Sequence, residues 1–71
     1  MTKNQKAFLS AVRVGECFSS REVADILGIK TASEASNFMM RLKMELVIAD
    51  SDVRIRKRNI GHSVSWSIVP R

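Results

Sequence analysis

A chain of 71 residues has room for one domain, since a second core would have nothing to bury. Hydrophobic residues make up 45%, which supports a small core and excludes a disordered tail, and 12 Lys and Arg against 7 Asp and Glu leave a net charge of +5. That excess points to a polyanionic partner, with nucleic acid ahead of an acidic membrane surface. One cysteine and one histidine exclude an internal disulfide and a usual zinc site, and no apolar run is long enough to span a bilayer. An intracellular, soluble protein of the cytoplasm is expected.

Thr2 and Gln5, three residues apart, form a capping-box pattern that opens a first helix over Lys3 to Val14. Phe8, Ala11 and Val12 give it an inward stripe, Lys3, Lys6 and Arg13 face solvent, and Gly15 stops it. Glu16-Cys17-Phe18 reads as an extended connector or a short strand, with Cys17 as a small buried hydrophobe. Ser19 and Glu22 form a second capping box, and Phe18 and Val23 have hydrophobic-staple spacing. The helix they start, about Ser20 to Leu27, buries Val23, Ala24 and Leu27. Gly28 supplies a left-handed end, and Ile29 folds back toward Ala24.

Thr31 and Glu34 cap a third helix, about Ala32 to Leu46. On a wheel of roughly 100° per residue, Ala35, Phe38, Met39, Leu42 and Leu46 gather on the core side. Ser33, Ser36, Asn37, Met40, Arg41 and Met44 gather on the other, a polar face with two methionines exposed. Two capped helices joined by so short a turn form a helix-turn-helix.

Past Val47 the period becomes alternating, which predicts two strands joined near Asn59-Ile60-Gly61-His62. Pairing Ile55 with Trp66 puts Val53 opposite Ile68, Lys57 opposite Val64, and Ile60-Gly61 at the tip. Trp66 is then a core anchor, and Arg54, Arg56 and Arg58 stand opposite Ser67, Ser65 and Ser63 on the far face. Three like charges along one strand face repel each other. Lysine would protect an edge equally well, so arginine here favours bidentate phosphate contacts.

Helix, short extended segment, helix-turn-helix and basic hairpin follow the order of the winged helix-turn-helix family, which the chain resembles over nearly its whole length. Ser36 to Ile48 looks like that family's recognition helix running into the first wing strand. Leu46 stands where many members have glycine, and Ala35 and Phe38 come one residue later than in the shortest-turn members. The resemblance implies an α+β fold over residues 1–71, with three helices followed by a two-stranded β-hairpin wing.

It also implies a third helix in the major groove, with Ser33, Ser36, Asn37 and Met40 at base edges. Asn37 could read adenine and Met40 a thymine methyl. Thr31, Arg41, Lys43, Arg54, Arg56, Lys57 and Arg58 would meet the DNA backbone. The wing arginines and the Asn37 side of the helix are expected to look the same way, as one continuous surface, and the DNA reading in this form depends on it.

The function expected is sequence-specific binding of double-stranded DNA by a transcriptional regulator, nucleoid-associated in a bacterial or phage setting. Two rivals are a DNA-bending, excisionase-like recombination accessory factor and a protein-binding winged-helix adaptor that uses the methionine face. A homodimer or protein partner would use Met40 and Met44 or the first helix. No cofactor or metal is expected. The chain has no Gly-rich phosphate loop and no paired-carboxylate pattern, and the adjacent His62 and Ser63 point apart on a hairpin, so no enzyme is expected.

Overall fold

In the computed structural model, which describes all 71 residues, the elements run α1 (Lys3–Ala11), β1 (Cys17–Ser19), α2 (Ser20–Leu27), α3 (Ala32–Ile48), β2 (Val53–Ile60) and β3 (Ser63–Pro70). The strands form one antiparallel sheet in the order β1-β3-β2, and the helices cover one of its faces. The domain is therefore α+β, with three helices and a three-stranded sheet. No helix is long and apolar enough to cross a membrane.

Local chemistry accounts for most boundaries. Complete capping boxes open α1 at Thr2/Gln5 and α2 at Ser19/Glu22. At α3 only half of the expected box forms: the Thr31 hydroxyl accepts from the Glu34 amide, and the Glu34 carboxylate makes no return bond. Gly28 ends α2 with φ +70°. Its amide donates to Asp25 O and the Ile29 amide to Ala24 O, the bond pair of a Schellman motif. That tight end turns the chain straight into α3.

The core is a single cluster in which Phe8, Phe18, Val23, Ala24, Ala35, Met39, Leu42, Leu46, Ile55, Trp66 and Ile68 are all buried. Leu27, Ile29 and Phe38 pack half-buried against it. Phe8 meets Phe18 and Phe38 edge-on, at 6.1 and 5.8 Å between ring centroids. Each large side chain fully buried here contributes about 1.5–3 kcal/mol of transfer free energy.

Several expectations are corrected. The first helix stops at Ala11 rather than Val14, because the next turn is bound elsewhere: the Gly15 amide donates to Ile68 O (2.7 Å) and the Arg13 amide to Glu16 Oε1 (2.7 Å). Its inward stripe is Gln5, Phe8, Leu9 and Val12, and Ala11 is exposed. The hairpin is not a two-stranded element standing alone, since β1 pairs with β3 through Phe18↔Trp66. Cys17 lies on the opposite face of β1 from Phe18 and is exposed. The third helix continues to Ile48. Asp50, with φ +53°, supplies the left-handed exit expected of glycine, and the Ser51 and Asp50 amides donate to Leu46 O and Val47 O.

The hairpin register is also corrected, by two residues. Ile55 pairs with Ile68, Lys57 with Trp66 and Ile60 with Ser63, leaving Gly61-His62 as the loop. A two-residue loop needs positive φ at its first central position, which Gly61 takes at +59° and β-branched Ile60 would resist. A slip of two preserves every face, so Arg54, Arg56 and Arg58 stay on the far side, now opposite Val69, Ser67 and Ser65.

A Cβ at Gly28 would meet nothing within 4 Å, so Gly28→Ala carries only the cost of its left-handed backbone. Destabilisation of about 1–2 kcal/mol is expected in a denaturant titration. An unchanged midpoint would mean that the turn does not depend on this conformation.

Candidate nucleic-acid interface

The helix-turn-helix of α2 and α3 presents one free helical face. Ala35, Met39, Leu42 and Leu46 point α3 into the core, which leaves Ser33, Asn37, Met40 and Arg41 exposed on its outer side. This ridge is bounded on both flanks. Asn37 and Arg41 line a groove shared with Thr2 and Asn4 at the start of α1, while Ser33 and Ser36 line another shared with His62, Ser63 and Val64 at the hairpin tip. The start of α3 and the tip of the hairpin thus face each other.

Ser36 differs from its neighbours. It is half-buried, and its hydroxyl shares a hydrogen bond with Ser20 Oγ (2.9 Å), which also accepts from Trp66 Nε1 (3.0 Å). The indole is fully buried, so Ser20 and Ser36 satisfy the polar edge of the core. Of the four expected base-facing residues, three are free and Ser36 is held inward.

The residues expected at the DNA backbone divide as well. Thr31 and Arg41 are exposed at the beginning and middle of α3. Lys43 is half-buried, seven residues beyond Ser36 and therefore on the same flank of the helix. Lys57 is on the helix-covered face of the sheet, with Nζ 5.5 Å from the centroid of the Trp66 ring.

Arg54, Arg56 and Arg58 flank Ile55 and Lys57 along β2 and so leave from the opposite face. The continuous surface expected from the sequence does not form: the arginine row and the free face of α3 are on opposite sides of the sheet. Period-two alternation dictates this once Ile55, 2% exposed, belongs to the core.

None of these charges is neutralised by an ion pair within the chain. Its ion pairs are the N-terminal amine with Glu45 at 3.9 Å and Arg71 with Asp50. Neither involves Arg41, Lys43, Lys57 or the arginine row.

One surface feature escaped the sequence reading. Val47 and Ile48 extend the exposed methionines into an apolar strip, Met40, Met44, Val47 and Ile48. The spacing i, i+4, i+7, i+8 was present, but the helix was expected to stop at Leu46. Asn59, across from Val64 on the α3-facing side of the hairpin, was likewise not singled out.

Ser20→Ala removes the acceptor of a buried indole N–H and is expected to cost about 1–3 kcal/mol in equilibrium unfolding followed by tryptophan fluorescence. Ser36→Ala should cost less, because Trp66 keeps its partner. Equal costs would show that Ser36 does more than support Ser20. Searches against protein-family models, curated proteins and solved structures return no match for this chain.

Proposed function

We propose that this chain is a winged helix-turn-helix protein that binds double-stranded DNA and acts as a transcriptional regulator, with α3 in the major groove. With the arginine row on the other side of the sheet, the reading no longer rests on one continuous surface but on α3 alone. The observation that carries it is the uncovered ridge Ser33–Asn37–Met40, presented by a capped helix-turn-helix and faced by the hairpin tip. The element order and the sheet order β1-β3-β2 support the family resemblance.

In this reading Asn37 supplies a paired donor and acceptor to a base edge, Ser33 a less selective hydroxyl, and Met40 an apolar contact. Thr31, Arg41 and Lys43 on the helix and Lys57 on the facing side of the hairpin serve the backbone. Ser36 contributes by keeping α3 seated on α2 and Trp66 rather than by touching bases.

A second reading, as a protein-binding adaptor, is favoured by the apolar strip on the C-terminal half of α3, where Ile48 is 75% exposed. Ile48→Ser distinguishes the two. The DNA reading predicts an unchanged gel shift, and the adaptor reading predicts loss of a protein complex in material that shifts no DNA.

For the DNA reading itself, Asn37→Ala is expected to relax preference at one base position, at a cost of about 1–3 kcal/mol on the enriched site. Binding to random duplex should stay as it was. Equal losses on both duplexes would remove Asn37 from base recognition.

A further inference from the structure

Arg54, Arg56 and Arg58 occupy the sheet face turned away from all three helices, exposed and outside every ion pair of the chain. Alternate residues on a strand stand about 6.6 Å apart, so the row extends roughly 13 Å. A duplex presents one phosphate per roughly 3.4 Å of each strand, so the row is long enough to follow a stretch of backbone.

The rest of that face is low. Across the row come Val69, Ser67 and Ser65 of β3, with Ser67 buried and the other two half-buried, and beyond them Cys17 and Ser19 of β1. Mostly small side chains leave a shelf on which a stiff rod can rest against the guanidinium groups. Ser67 is buried, so Ser65 and Ser19, both half-buried, are the hydroxyls left to donate to phosphate oxygens. No aromatic side chain shares the face, because Phe18 and Trp66 both turn into the core. Without a stacking platform the shelf suits the backbone of a duplex and not an unstacked single strand.

We propose that this outer face is a second, sequence-indifferent surface for duplex DNA, so that one molecule holds two DNA segments on opposite sides of its sheet. The inference rests on α3 being the DNA-reading element. A duplex seated on α3 lies on the helix side of the sheet, and the arginine row is left for another segment.

A capture experiment tests it. A biotinylated duplex bearing the preferred site is fixed to beads, loaded with the full chain and offered a labelled duplex of random sequence. Wild-type protein should retain the labelled duplex, less so as salt rises. In R54Q/R56Q/R58Q, with folding verified by thermal melt, the specific gel shift should persist. Capture should fall about tenfold or more, with its salt slope reduced by about 2.7.

Undiminished capture by the triple variant overturns the proposal. Parallel loss of shift and capture also overturns it, since one surface would then do both jobs. Capture that vanishes in Ile48→Ser overturns it by assigning bridging to paired copies of the chain, and preferential capture of single-stranded DNA or of an acidic protein overturns the choice of occupant. A wild-type chain that shifts no duplex even at low salt refutes the DNA reading of α3, whereas a specific shift without capture refutes the second surface alone.

Discussion

Trp66 sits in the middle of the central strand, fully buried, and links all three strands to α2 and, through Ser20, to α3. Phe18 of β1 pairs with it on one side and Lys57 of β2 on the other, where the lysine ammonium lies over the ring. Its indole N–H reaches Ser20 at the start of α2, and Ser20 in turn holds Ser36 of α3. One large side chain thereby registers three strands against two helices. A domain this small buries a modest share of its surface, so a fully used anchor of this kind matters more than it would in a larger protein.

Local rules written over three or four residues were legible in the sequence. Ser19 with Glu22, Thr2 with Gln5, and Gly28 followed by Ile29 each specify a helix end through bonds that need no tertiary partner, and all three formed. What escaped depended on distant groups. The end of α1 is set by the Gly15 amide finding Ile68, 53 residues further along, and nothing near Val12 announces it. The exit of α3 uses an aspartate in a glycine-like conformation, with Arg71 from the chain end bound to its carboxylate. The hairpin register failed by two residues because strand alternation alone cannot distinguish slips of two, and only the backbone demand at Gly61 breaks the tie.

The candidate site was legible in part for related reasons. The helical period separated the free ridge of α3 from its core stripe, and Ser33, Asn37 and Met40 are where that period puts them. It could not show that Ser36 would be claimed by a buried indole from the far end of the chain. The alternation that identified the arginines already implied that they oppose Ile55, and hence oppose the helices. Reading them as continuous with α3 joined two surfaces that the pleat keeps apart. Positive charge is therefore split between the helix side, with Arg41, Lys43 and Lys57, and the outer side.

β2 is an edge strand eight residues long, and one row of its backbone amides and carbonyls has no neighbouring strand to bond. Such an edge invites another copy to add itself and extend the sheet without limit. Four cations in five positions, Arg54, Arg56, Lys57 and Arg58, make a second copy of the same strand a poor neighbour, whichever direction it approaches from. Like charge along β2 thus also opposes the pairing of two copies at this edge, and that opposition weakens when the charge is masked by salt or by a bound polyanion.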